Sequence, residues 1–193
     1  GGLEAVAYNI NRKNASLRFF EFGNIYGINT KVQSEDPHRK YHEEKHLALF
    51  YTGIKYAENW SVREESNSDF FQLKTYVELL LKRFNLNAVD LVQNESDNKE
   101  FSQGLKYSKN NKLLVEFGNI KPELLKEFEI DQEVYYADFH WNNILKILES
   151  HKTQFVALNK FPEVRRDLSM VLSQEVKFED LRQSALKSER KLL

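Results

Sequence analysis

The sequence predicts an α+β domain built on an antiparallel sheet flanked by helices, and three observations carry that prediction. Strand-like segments follow one another as neighbours joined by turns or polar loops, the order of hairpins rather than of a doubly wound parallel sheet. Helical segments are interspersed among them irregularly. With 41% hydrophobic residues, 14 Phe and 9 Tyr in 193 residues, the chain has the large apolar side chains a core needs, and only 7 Gly and 3 Pro argue against a low-complexity chain. That length predicts one compact domain with a small piece of a second.

Leu3, Val6, Ala7 and Ile10 recur at helical spacing. Their run closes on Arg12-Lys13-Asn14, two cations that suit the negative end of a helix and an Asn that tolerates a left-handed cap. Residues 17–26 (LRFFEFGNIY) are aromatic on both alternating faces and read as a largely buried strand. The polar stretch 28–45, with Asp36-Pro37, reads as a loop leading to a second strand at 47–53 (LALFYTG). A polar connection holding Trp60 precedes the clearest helix, 69–84. There Phe70, Leu73, Val77, Leu80, Leu81 and Phe84 form one stripe, Ser68 is the expected cap, and Lys82 and Arg83 suit the end.

Residues 88–92 read as a short strand, and 104–107 with 113–117 as a hairpin turning on Asn110-Asn111, which tolerate positive φ. Pro122 opens a short helix, where its missing N–H costs nothing. Residues 134–140 read as a strand, 141–148 as an amphipathic helix, 165–172 as a strand and 178–193 as a helix. The pentapeptide EFGNI occurs at 21–25 and 116–120 in different surroundings, which speaks for coincidence rather than a repeat.

Composition excludes several functions. Lys plus Arg number 28 against 29 Asp plus Glu, a net charge of −1 that offers no broad basic surface for nonspecific DNA binding. With no cysteine there are no disulfides, no thiol catalysis and no cysteine-ligated metal. No apolar run reaches the length of a membrane span and no basic-then-apolar leader opens the chain, so a cytoplasmic protein is expected. G-x-S-x-G, G-x-G-x-x-G and the phosphate-binding loop G-x-x-x-x-G-K-[ST] are absent.

His42-Glu43-Glu44-Lys45-His46 matches H-E-x-x-H, in which two His one helical turn apart bind zinc and the Glu activates water. A zinc-dependent hydrolase using His42, Glu43 and His46 is therefore the competing reading. The segment is highly charged and runs straight into a strand, which suits a solvated lead-in better than a packed zincin helix. Glu43-Glu44 and Glu64-Glu65 read as solvated faces, His140 as a strand-end His rather than a catalytic base, and His151 carries no signal. Trp60 and Phe70-Phe71 offer an exposed patch or, for the helix residues, ordinary packing. Arg165 and Arg166 beside Asp167 suit phosphate contact or a plain ion pair.

One segment changes this reading. FPEVRRDLS at 161–169 resembles the opening of the ferredoxin-like anticodon-binding domain in the bacterial phenylalanyl-tRNA synthetase beta-subunit family. Upstream features follow in that family's order: LEAVAYNINRKN, RFFEFGNIY, LALFYTG, Trp60-Ser61, DFFQLK at 69–74 and FGNIKPELL at 117–125. The resemblance implies that residues 1–150 form a non-catalytic module resembling a class II synthetase catalytic domain, 151–160 a linker, and 161–193 the truncated start of a ferredoxin-like domain. In that family the alpha subunit makes phenylalanyl-adenylate and charges tRNA(Phe), using ATP and Mg2+, and two subunits of each kind assemble into a heterotetramer.

The editing site and the beta subunit's magnesium ligands lie in modules N-terminal to this region. The resemblance thus implies no catalytic, cofactor-binding or metal-ligating residue here, and leaves Arg165 and Arg166 as tRNA-supporting candidates. Arg18 and Glu21 are the nearest relics of the class II motif 2, whereas the Arg-ending motif 3 has no counterpart in WNNILKILES, so no cation is evident for ATP phosphates. Lys121 stands where the family usually has His, at a helix entry where little effect is expected. A ferredoxin-like domain needs a βαββαβ set, and the chain supplies only the first β and α, so a fragment is expected. The aromatic strand 19–26 and the helix 69–84 are the expected contributors to the subunit interface. A stand-alone synthetase-like binding module is the third alternative.

Overall fold

A computed structural model describes residues 1–28, 40–56, 60, 66–149 and 164–188. The chain forms two compact units, Gly1–Lys152 and Thr153–Leu193. The first contains α1 (Gly2–Ile10), β1 (Leu17–Ile28), β2 (Tyr41–Thr52), β3 (Ile54–Tyr56), β4 (Ser66–Asn67), α2 (Phe70–Arg83), β5 (Val92–Glu95), β6 (Phe101–Lys109), β7 (Lys112–Ile120), α3 (Pro122–Glu127), β8 (Val134–His140) and α4 (Trp141–Leu148). Six strands form one sheet in the order β1-β2-β8-β7-β6-β5, every neighbouring pair antiparallel, and β3 with β4 makes a separate small sheet.

Strand alternation gives this sheet two apolar faces. Leu47 and Tyr51 of β2, Phe117 of β7, and Ala137 and Phe139 of β8 pack with Leu73, Val77 and Leu81 of α2 and Ile144 and Ile147 of α4. On the other side Phe50 and Tyr136 join Val6 of α1, Leu125 of α3, Leu17, Phe101, Ile120 and Val134. The stripe read from the sequence of α2 is therefore the face that packs on the sheet. Phe70 stacks on Phe117 at 5.6 Å, whereas the adjacent Phe71 points outward and is 74% exposed.

Turn and cap chemistry sets the boundaries. Asn110 and Asn111 take φ of 52° and 59°, the mirror-image turn that matches the twist of β6 and β7. Gly53 has φ +87°, and a Cβ there would lie 2.4 Å from the Ala15 carbonyl oxygen, so only glycine fits where β2 turns into β3. At the end of α1 the left-handed residue is Lys13 (φ 66°) rather than Asn14, whose N–H instead reaches back to the Asn9 carbonyl. Asp69, not Ser68, caps α2: its carboxylate accepts the Gln72 N–H at 2.7 Å and pairs with Lys55 at 3.0 Å. Burial raises the Asp69 pKa, but the Lys55 hydrogen bond and the Gln72 N–H outweigh it and leave the group below its ordinary value. Asp69→Ala is expected to lower stability to urea unfolding by about 1 kcal/mol.

Four expectations fail here, each for a tertiary reason. β1 is not largely buried, because among the described strands it lies at the edge and pairs with β2 alone; Phe20, Phe22, Ile25, Tyr26 and Ile28 are all exposed. The end of the expected loop 28–45 is strand, since residues 41–45 pair with 24–28 of β1. The expected strand 88–92 is a single 3-10 turn at 88–90 followed by β5. In the second unit residues 165–172 are irregular rather than strand, and the one helix described there is α5 (Phe178–Ser188). The 151–160 linker lies outside the described residues. EFGNI falls once on the edge strand β1 and once on the interior strand β7, which is no structural repeat.

Candidate functional site

The β1–β2 pair is longer than the sheet it belongs to. β1 pairs with β2 along residues 17–28 and 41–52, but β8 pairs with β2 only from His46 to Thr52. Among the described residues, 24–28 and 41–45 therefore have no third strand beside them and form a two-stranded ribbon. Phe20, Phe22, Tyr26 and Ile28 are even-numbered and share one face, joined by Tyr41, which pairs with Ile28. Phe20 and Tyr26 are 72% and 74% exposed, and among the described residues only Phe22 finds an aromatic partner, Trp141, edge-on at 4.9 Å. Asn24, hydrogen-bonded to Glu43 on the same face, divides the run into Phe20 with Phe22 and Tyr26 with Ile28 and Tyr41; exposed apolar groups clustered in this way mark an interaction surface.

At the root of the ribbon lies a polar cluster on the opposite face. The H-E-x-x-H segment is strand, not helix, so His42 and His46 stand four residues apart along β2, roughly 13 Å at a strand's rise, and Glu43 faces the other way. His42 lies over Gly27 at the far end. These three residues cannot share one ion, and the hydrolase reading falls with them.

His46 instead faces its cross-strand partner His140, with ring centroids 4.5 Å apart. His46 Nδ1 lies 2.7 Å from an oxygen of Asp138, and its Nε2 is 3.6 Å from Glu44. Burial, and then the neighbouring His46, lower the His140 pKa and favour its neutral form. No local pattern signals this grouping, because His46 and Asp138 lie 92 residues apart and meet through the β2–β8 register.

The residues carried over from class II motif 2 do not converge. Arg18 and Glu21 lie on opposite faces of β1 by alternation. The Arg18 guanidinium donates to the Lys55 carbonyl at 2.9 Å and lies over the Tyr51 ring at 5.7 Å, while Lys55 is held by Asp69. Where β8 passes into α4, Asn143 donates to the Leu113 carbonyl at 2.8 Å. The cleft of about 380 Å³ beside Arg18 and Lys55 thus has both its cations engaged, a poor fit to the phosphates of ATP. In the second unit Arg165 and Arg166 are exposed, with Arg165 only loosely paired to Asp167 at 3.9 Å.

Comparison with known proteins decides the family. The sequence profile of the phenylalanyl tRNA synthetase beta chain CLM domain matches residues 1–141. The chain belongs to that family. It is 43% identical over its whole length to the phenylalanine–tRNA ligase beta subunit of Bacteroides thetaiotaomicron and 34% identical, again over its whole length, to that of Porphyromonas gingivalis. In both cases it spans 24% of the relative's length.

Among solved structures, pyrrolysyl-tRNA synthetase of Desulfitobacterium hafniense superposes with a TM-score of 0.53 at 17% identity, covering 77% of this chain and 48% of the other. At that identity the likeness is one of fold. What the two share is the fold, a mainly antiparallel sheet with helices. No helix among the described residues is long and apolar enough to cross a membrane.

Proposed function

We propose that this chain is a structural module of a cytoplasmic phenylalanine–tRNA ligase, docking the beta subunit onto the alpha subunit through the apolar stripe of the β1–β2 ribbon without taking part in the chemistry. The observation that carries this reading is the stripe itself: five large apolar side chains on one face of the β1–β2 pair are each more than half exposed, and of these Phe22 alone meets a ring of another described element, Trp141 of α4. The alpha subunit attaches phenylalanine to tRNA(Phe) with ATP and Mg2+, and this module holds the assembly in which that happens. Engagement of Arg18 by the Lys55 carbonyl and of Lys55 by Asp69 supports the non-catalytic half of the proposal.

Residues 161–193 belong, on this reading, to the start of a ferredoxin-like anticodon-binding domain. Exposed Arg165 and Arg166 there contribute to the tRNA surface of the whole subunit. The isolated chain is expected to show no phenylalanine-dependent exchange of pyrophosphate into ATP above a no-enzyme control. Exchange that rises with phenylalanine and follows the chain through purification would overturn the non-catalytic assignment.

A further inference from the structure

We propose that Glu44, His46 and His140 form a binding site for one divalent transition metal of the zinc class, which clamps β2 to β8 at the root of the ribbon. It involves neither His42 nor Glu43 and is structural rather than hydrolytic. One donor atom from each of the three residues lies within 4.8 Å of the other two. Glu44 and His46 share a face of β2 by alternation, and the antiparallel register sets His140 directly beside His46.

The decisive observation is His46. The residue is only 6% exposed, and its Nε2 is fully buried without a hydrogen-bond partner among the described residues, an arrangement that costs stability unless something occupies the lone pair. Glu44 at 3.6 Å is too far for a hydrogen bond. It is, however, close to the separation of about 3.4 Å between donors that each sit about 2.0–2.1 Å from a tetrahedral ion.

Behind the ligand, the Asp138 carboxylate at 2.7 Å from Nδ1 holds that nitrogen as the N–H and leaves Nε2 as the free donor. This carboxylate–histidine pairing is what orients and strengthens imidazole ligands. Two imidazoles and one carboxylate suit zinc, nickel or cobalt over magnesium or calcium, and leave a fourth position for water.

The test uses the untagged 193-residue chain, freed of metal by chelation and titrated calorimetrically with Zn2+. One equivalent is expected to bind with micromolar or tighter affinity, and Co2+ to give the visible absorption of a four-coordinate ion. Zinc is also expected to raise the melting temperature. Glu44→Gln and His140→Asn, at half-buried positions, should each abolish stoichiometric binding while leaving the circular dichroism unchanged. They decide the matter even if His46→Asn fails to fold. Asp138→Asn is expected to weaken binding about 10- to 100-fold, and His42→Asn to leave it intact. Absence of saturable binding in the folded chain overturns the site, as does binding that persists in both Glu44→Gln and His140→Asn.

Discussion

Glutamate at both Phe20 and Tyr26 is expected to abolish detectable binding of this chain to the alpha subunit of a phenylalanine–tRNA ligase while leaving its fold intact. Both side chains stand on the same face of the edge strand, 72% and 74% exposed. Neither lies in the two buried clusters that hold the sheet to its helices. Changing them should therefore shift unfolding stability by no more than about 0.5 kcal/mol. Aromatic anchors at the centre of an interface, in contrast, each carry about 2 kcal/mol or more. Burying a carboxylate against an apolar partner adds a further penalty. A loss of at least about 30-fold per residue follows from 2 kcal/mol, measured by surface plasmon resonance against immobilised alpha subunit. Unchanged affinity in the folded double variant would move the interface away from β1.

Phe117→Ala is expected to lower stability by about 3–5 kcal/mol, enough to threaten folding in a domain whose total stability is roughly 5–15 kcal/mol. Phe117 is fully buried on the central strand β7, stacked on Phe70 at 5.6 Å and meeting Tyr107 edge-on at 5.3 Å. Removing the ring takes away aromatic contacts to both a helix and a neighbouring strand, and the sheet backbone around it cannot collapse to fill the space. Phe71→Ala is the matched control, since its exposed ring should cost no more than about 0.5 kcal/mol. Urea unfolding followed by tryptophan fluorescence compares the two, because Trp141 packs against the same core. Equal losses would contradict the inward and outward assignment of the paired phenylalanines.

What the sequence disclosed and what it withheld divide along a physical line. Local rules reached β8 and α4, whose bounds 134–140 and 141–148 coincide with the structure, and the β6–β7 turn on Asn110-Asn111. Those features depend on spacing and turn conformations carried by the residues themselves. The burial of β1 was misread because an aromatic strand looks the same whether it lies in the middle of a sheet or at its edge; strand order is a tertiary fact. Residues 41–45 looked like the end of a solvated loop because the segment is polar, with Glu43, Glu44 and Lys45 in a row, yet pairing with β1 draws even a polar ribbon into strand. Conversely, residues 165–172 have strand-like composition but no partner strand among the described residues, and a lone strand cannot satisfy its backbone groups.

The family was legible for a different reason, since the order of several short segments carries information that no single one does. The candidate sites were less so. HEEKH advertised a zinc motif that strand geometry dismantles, while the grouping of His46 with His140 and Asp138 depends on long-range register and has no local signature. The stripe on β1 was visible as an aromatic run, but its exposure, on which the docking role depends, was not.

The most direct measurement is light scattering on a sizing column of this chain mixed with a purified phenylalanine–tRNA ligase alpha subunit, each also run alone. A mixed species that co-elutes at the summed mass, in fixed proportion over a range of concentrations, is the expected result. Two separate peaks at their individual masses, with the chain shown to be folded by circular dichroism, would contradict the assembly role.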